Sequence, residues 1–311
     1  MTGKIAVVGS NMVDLISYVV RMPGKGETIE APAFEMGCGG KGANQAVAAA
    51  KLGANVMMVT KVGDDIFGDN TILNFQKFGI DTRHVEKLPG TSSGVAPIFV
   101  EPSGENSILI IKGANGHLLP ADIDRAAEDL KTCDLIIMQL EIPLETVYHT
   151  IDFGHRHGIE TLLNPAPAAP DLDPERIADV TFLVPNETEL ALLSGLPVGN
   201  PEQAETAARS LLAKGIRTVI VTLGAKGALL VTATATEKIA PIPVVAKDTT
   251  GAGDAFIGAF ACSYVQDHDL MAALTIAARY AADSITKPGT QKSYANAQEF
   301  AAFRAGTTLD P

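Results

Sequence analysis

Cysteine is scarce: Cys38, Cys133 and Cys262 are the only three in 311 residues. An odd number with no two in a CxxC spacing excludes a disulfide framework and gives no support to a zinc cluster, so a reducing, cytoplasmic setting fits. Positive charge is in deficit as well. Lys and Arg number 24 against 36 Asp and Glu, a formal net charge of −12, which repels nucleic acid and anionic membrane surfaces at long range. No nucleic-acid or membrane partner is expected, and any polyphosphate ligand must be held by local donors. Long hydrophobic runs are missing: no uninterrupted apolar stretch approaches the ~18 residues of a membrane span. The start, Met1-Thr-Gly-Lys-Ile-Ala-Val-Val-Gly9, has neither the basic region nor the small-residue cleavage site of a secretory leader. Low-complexity tracts and internal repeats are absent too.

What is present is enough apolar material for a proper core, with 46% hydrophobic and 19% charged residues. At roughly 150 residues per domain the length allows two domains or one large α/β domain, and a single one over 1–311 is expected. Short β-branched runs at 5–8, 56–62, 135–140, 161–163, 182–184 and 218–223, each closed by Gly, Asn or Pro, read as strands buried on both faces. Alanine-rich helical stretches lie between them at 43–52, 122–130, 144–157, 204–214 and 253–264. This alternation predicts a mostly parallel sheet flanked by helices. Two regions, 14–36 and 94–112, are strand-like without intervening helices. In the second, Val95, Ile98 and Val100 and then 108–111 flank a turn at 102–106 as a hairpin would. They predict a small second sheet placed as a lid over the crevice at the carboxyl ends of the main strands.

Three segments offer chemistry. The first, Gly37-Cys-Gly-Gly-Lys-Gly-Ala-Asn-Gln-Ala46, opens a helix. Its glycines let a ligand approach the backbone and the helix start supplies free amide donors. It contains GxGxxG at Gly37, Gly39 and Gly42, with Asp64 about twenty residues on. A dehydrogenase fingerprint should follow the first strand at once, and this one does not. Walker A fails because Gly42 follows Lys41. A tight glycine turn with close helix packing is the plainer alternative.

The second, Asp248-Thr-Thr-Gly-Ala-Gly-Asp254, also enters an apolar helix. The successive amides of Gly251, Ala252 and Gly253 make a nest for a developing anion. Asp254 is then either an ordinary dipole-stabilising carboxylate or a base that takes a hydroxyl proton while the nest holds a phosphoryl group. The third, Asn186-Glu-Thr-Glu189, can touch Mg²⁺ or can simply cap a helix. Thr222, Leu223, Gly224, Ala225, Lys226 and Gly227 form either a nucleotide-facing loop or a hairpin turn. His155 and His157 point to different helix faces and read as solvated surface, Cys38 as a small filler, and Met57-Met58 as core.

Taken together, in this order and about 210 residues apart, the two glycine motifs resemble those of the ribokinase (PfkB carbohydrate kinase) family. Leu140-Glu141, Asn164-Pro-Ala-Pro167, the Asn186 segment and the Thr222 turn fall in family order, so the resemblance runs almost end to end. Gly-Lys-Gly-Ala-Asn-Gln at 40–45 is the form found in ribokinases and deoxyribokinases. The resemblance implies a three-layer α/β sandwich with a β-lid that also forms a homodimer interface. It implies a sugar held by Asp14, Gly40, Lys41, Gly42, Asn44 and Glu141, with Met12 beside it, and Asp254 as the base acting on the O5 hydroxyl. ATP would contact Asn186, Thr222 to Gly227 and Gly253, with Asn186 and Glu189 serving Mg²⁺. A monovalent-cation loop, usually for K⁺, would map to Asp248, Thr250, Ser284, Lys287, Gly289 and Ser293. Two positions depart from the family. Met12 stands where many ribokinases have an Asn that reaches the ribose hydroxyls, which predicts 2-deoxy-D-ribose ahead of D-ribose. Ala278 replaces an Asn or His often found by the adenine. The rival readings are an NAD-dependent oxidoreductase using 37–42, which leaves 248–254 unexplained, and a non-catalytic sugar sensor, against which Asp254 argues.

Overall fold

The computed structural model describes residues 3–103 and 105–306. In chain order its strands are β1 (Lys4–Val8), β2 (Met12–Tyr18), β3 (Ala33–Gly39), β4 (Asn55–Gly63), β5 (Asp81–Leu88), β6 (Val95–Val100), β7 (Asn106–Ile108), β8 (Leu135–Met138), β9 (Glu160–Leu163), β10 (Phe182–Leu183), β11 (Thr218–Thr222), β12 (Ala228–Thr232) and β13 (Thr236–Ile239). Nine of them form one sheet in the order β13-β12-β11-β10-β9-β8-β1-β4-β5. It is parallel from β5 through β11, and the β11–β12 and β12–β13 pairs are antiparallel.

The continuous apolar runs follow from burial on both sides. Ile5, Val7 and Met58 face one core, and Ala6, Val8 and Met57 the other. The first core is covered by α1 (Lys41–Lys51), α2 (Ile66–Lys77), α8 (Ala252–Asp267), α9 (Leu270–Ser284) and α10 (Ala297–Gly306). The second is covered by α3 (Pro120–Arg125), α4 (Ala127–Leu130), α5 (Leu144–His157), α6 (Glu187–Ser194) and α7 (Pro201–Leu212). The result is the three-layer sandwich the alternation of runs predicts.

β2, β3, β6 and β7 make the separate small sheet, ordered β3-β2-β6-β7. It leaves the main sheet at the carboxyl end of β1. Its outer pairs are antiparallel and its central β2–β6 pair is parallel, so it is not built from two hairpins alone. Its strands run from Met12 to Gly39, wider than the predicted 14–36. The second arm of the 94–112 region starts earlier than the apolar run suggests, at Asn106, and Gly104 of the turn lies outside the described residues. Beyond Ile108 the pairing continues through Leu109 and Ile111, which donate to Pro97 and Val95 carbonyls.

Other boundaries differ from the sequence reading as well. The helix expected over 122–130 is broken at Ala126, whose N–H is shared between the Asp122 and Ile123 carbonyls. The strand expected over 135–140 stops at Met138, so Gln139 and Glu141 are free to turn toward α1. That helix meets α8 at a near-contact between small residues: a Cβ on Gly258 would lie 2.5 Å from Ala48 Cβ and 2.7 Å from the Gln45 carbonyl. Close approach there sets Gln45 and Asp254, one turn before Gly258, side by side. His155 and His157 are on the surface, and Cys133 and Cys262 are buried.

Candidate active site

The glycine loop is shaped by backbone crowding. Gly40 has φ +87°, and a Cβ there would lie 2.7 Å from the Met12 nitrogen, so only glycine fits. This lets the start of α1 press on the β1–β2 connection. Ala43 N–H donates to the Ser10 carbonyl at 2.8 Å, and the Lys41 N–H (2.9 Å) and Ser10 Oγ (2.5 Å) both donate to Glu141 Oε2. Asp14 reaches across Gly39, where any Cβ would strike its carboxylate. Gly37 and Gly39 belong to β3 in the small sheet rather than to a turn after β1, which removes the structural context of a dinucleotide fingerprint.

Four carboxyl groups share this end of the sheet. Burial, then the charges of Glu141 and Asp254, push Asp14 up to about 7. Burial also raises Glu189 and Asp254 above the usual carboxylate range. Burial works against the charge of Lys41, yet Asp254, Glu141 and Glu189 outweigh it and raise its pKa, so it stays cationic among them.

At the start of α8, Gly251 takes the left-handed conformation at φ 75°. Tyr294 Oη donates to its carbonyl at 3.0 Å. A Cβ on Gly253 would meet nothing within 4 Å, so the first turn of the helix opens into free space, where amide donors and helix dipole favour an anion. Asp254 sits directly behind, 8% exposed. Its Oδ2 accepts from Asn44 Nδ2 at 3.0 Å and its Oδ1 from Gln45 Nε2 at 2.9 Å.

The segments 248–250 and 284–293 come together. The Asp248 carboxylate accepts from the N–H groups of Thr250 (2.9 Å) and Gly289 (2.8 Å). Burial opposes its charge, and these bonds hold it below the usual range. Ser284 and Ser293 bond back to the Ala281 and Thr290 carbonyls, and Lys287 pairs with Asp283 at 2.7 Å.

On the other side, Asn186 and Glu189 form the helix cap of α6 rather than a bare pair of ligands. Glu189 N–H donates to Asn186 Oδ1, and Glu189 Oε2 and Oε1 accept from the backbone and side chain of Asn186 at 2.8 and 2.9 Å. Asn186 forms a bridge with Thr222, which ends β11. Residues 223–227 are the connection of the β11–β12 hairpin, so the turn reading also holds, and Lys226 pairs with Glu187 at 3.0 Å. Ala278 is half-buried against the first core. Among the described residues no group of three or more His, Cys, Asp or Glu has the arrangement of a metal centre.

Sequence reasoning named Asn44 but gave no role to Gln45 and Gln139, the other amides around Asp254. Gln45 accepts from Gln139 Nε2 at 2.6 Å and donates also to Asn164 Oδ1 at 3.2 Å, while Asn164 Nδ2 is committed to the Val184 carbonyl. Gln45 and Gln139 are fully buried, and a buried uncharged amide inside a glycine-loop helix was the available signal. Cys38 accepts from Asn70 Nδ2 at 3.2 Å, and burial raises its thiol pKa, which suits a filler.

Known proteins resemble this chain over nearly its whole length. The family model of pfkB family carbohydrate kinases matches residues 2–297. Deoxyribokinase from Salmonella typhi is 60% identical over 296 residues, covering 95% of this chain and 97% of its own. Ribokinase from Bacillus subtilis is 40% identical, covering 93% of this chain and 94% of its own. Among solved structures, Arabidopsis thaliana ribokinase complexed with ribose and ATP superposes with TM-score 0.92 at 30% identity, covering 97% of this chain and 99% of that one.

Proposed function

The chain belongs to the pfkB family of carbohydrate kinases, and from that premise we propose that it transfers the γ-phosphoryl group of ATP to O5 of a pentose, 2-deoxy-D-ribose first and D-ribose second. The observation that carries the reading is the buried Asp254 carboxylate directly behind the open first turn of α8. In the proposed reaction the Asp254 carboxylate takes the O5 proton, O5 attacks the γ-phosphorus in line, the bond to the β-phosphate oxygen breaks, and ADP leaves. The amides of Gly251, Ala252 and Gly253 stabilise the charge that develops on the transferring group. Asp14, Gly40, Lys41, Gly42, Asn44 and Glu141 position the sugar, with Met12 against it. Asn186, the 222–227 turn and Gly253 contact ATP.

Mg²⁺, bound along with the nucleotide, would supply neutralisation of the phosphate charge. Asn186 and Glu189 would hold it, through water where the helix cap engages their oxygens, in keeping with a metal that uses one or two carboxylates and several waters. The small sheet acts as the lid that excludes water, and its exposed apolar residues, such as Phe34 and Ile108 at 61% and 49% exposure, would pack against a second copy. The reduced cysteines fit the cytoplasm. No helix among the described residues is long and apolar enough to cross a membrane.

A coupled ADP-release assay over a panel of pentoses and hexoses tests the reaction. Turnover on 2-deoxyribose and ribose is expected, and none on any pentose would overturn it. NAD binding or sugar binding without ATP turnover would point to the rival readings. The loop of Asp248, Thr250, Ser284, Lys287, Gly289 and Ser293 is proposed to hold K⁺ and to order the neighbouring nest. Rates should then be far higher in KCl than in NaCl or LiCl at equal ionic strength, and equal rates would remove the cation from the account.

Asp14 gives the pH dependence. Below about 7 it is protonated in the free protein and loses an acceptor site for the sugar, so kcat/KM should fall as pH drops through that value. Sugar hydroxyls bonded to the charged form lower its pKa in the complex, so kcat persists to lower pH. Asp14→Asn should remove the part of that fall owed to Asp14 and leave the part owed to Asp254. A flat kcat/KM from about pH 8 to about pH 5.5 would be the contrary result.

A further inference from the structure

We propose that Gln291 is a positioning residue for the base: it receives a hydrogen bond from Asn74, passes one to Asn44, and so fixes which end of the Asn44 amide faces Asp254. This rests on the reading of Asp254 as the base. Asn74 Nδ2, on α2, donates to Gln291 Oε1 at 2.9 Å; Gln291 Nε2 donates to Asn44 Oδ1 at 3.0 Å; Asn44 Nδ2 donates to Asp254 Oδ2 at 3.0 Å. A primary amide has one accepting and one donating end, so a chain of them has a direction. With its oxygen engaged by Asn74, Gln291 presents its NH₂, Asn44 answers with its oxygen, and only the Asn44 NH₂ is left for the carboxylate.

The reverse orientation would set an amide oxygen against the carboxylate. Gln291 and Asn44 are each 7% exposed, so solvent is a poor substitute for either partner. The backbone of Gln291 is itself pinned, because Lys51 Nζ at the end of α1 donates to the carbonyls of Gln291 (3.0 Å) and Tyr294 (2.6 Å). On the other carboxylate oxygen Gln45 arrives with the same polarity. The two donors favour the charged form of Asp254 against the burial that raises its pKa, and hold it in one orientation with its remaining lone pairs left for the substrate hydroxyl. The ionisable groups facing it are Lys41 from α1, Asp14 from β2, Glu141 after β8, Glu189 from α6 and Tyr294 after α9. Loss of a donor to the charged form moves the base toward its protonated state.

The test is Gln291→Met, which keeps volume and removes the amide, with Asn74→Leu and the double variant. Gln291→Met should lower kcat about 10- to 100-fold through misplacement of the reacting group and move the acid limb of kcat, at saturating sugar, to higher pH. Circular dichroism should stay native. Asn74→Leu should shift both in the same direction by less, and the double variant should be no worse than Gln291→Met alone, because Asn74 acts through Gln291. A native kcat and native limb in Gln291→Met, or in Asn74→Leu if the first variant does not fold, would overturn the proposal, as would additive losses. Asp254→Asn separates the two levels: if it retains turnover the base reading fails with everything built on it, and if it is inactive while Gln291→Met is native, only the amide relay fails.

Discussion

Asp254→Asn should lower kcat by roughly 10²- to 10⁴-fold while leaving the fold intact, the usual scale for losing a general base. The substitution keeps size and shape, so nothing around α8 needs to repack. What changes is the chemistry of two atoms. The carboxylate accepts from Asn44 and Gln45 at the same time. An asparagine has one oxygen and one NH₂, so one of these amides meets a donor and must turn or lose its bond. Neither arrangement leaves an atom able to take the O5 proton. The check is steady-state kcat on the purified variant alongside its circular dichroism spectrum. Near-normal turnover in a folded variant would remove Asp254 from the role of base and leave it a helix-terminus carboxylate.

The second large effect concerns the sugar. Met12 and Asp14 are two apart on β2, so their side chains share one face of that strand. In register, Met12 stands opposite Gly39, the residue Asp14 reaches across. Met12 is 1% exposed, and a sugar hydroxyl placed against it would be shielded from water. A thioether is a poor hydrogen-bond partner, and the C2 hydroxyl of ribose would lose a bond there that an asparagine could make. An unsatisfied buried hydroxyl costs roughly 1 to 3 kcal/mol, about 5- to 150-fold in relative kcat/KM, whereas a 2-deoxy sugar has nothing to satisfy. The native enzyme should therefore favour 2-deoxyribose, and Met12→Asn should swing the ratio toward ribose. A native preference for ribose, or an unmoved ratio in the variant, would show that Met12 does not set the choice.

Much of this was legible because it is local. The central strands announce themselves as apolar runs since both faces are buried, and the segment 144–157 matches α5 (Leu144–His157) at both ends, with Gly158 in the left-handed conformation just beyond. The glycine motifs were legible for the same reason: a helix start pressed on a neighbouring backbone admits few residue types. β5 was not, because it is an edge strand of sequence DTRHVEKL with no fully buried position, and an edge carries no strict apolar pattern. The amide relay was hidden differently. Asn44 and Gln291 are 247 residues apart, and a glutamine in a loop looks the same in sequence whether it faces water or a buried carboxylate. The pairing of β2 with β6 is likewise non-local, and it is what turns two strand-like regions into one sheet.

The crowding of Asp14, Glu141, Asp254 and Glu189 around one lysine has a consequence for the persistence of the protein. Asp14 has its folded pKa raised to about 7 from an ordinary 3.8, so its contribution to stability is full below the ordinary value and is lost as pH rises through about 7. At neutral pH the empty protein thus carries a penalty located where these carboxylates crowd together. A sugar whose hydroxyls bond these carboxylates would offset that penalty, and a ligand that binds only the folded state adds stability as the logarithm of one plus the ratio of its concentration to its Kd. Because a change of about 1 to 2 kcal/mol alters cellular abundance several-fold through quality control, a sugar bound in this way would raise the amount of protein that survives.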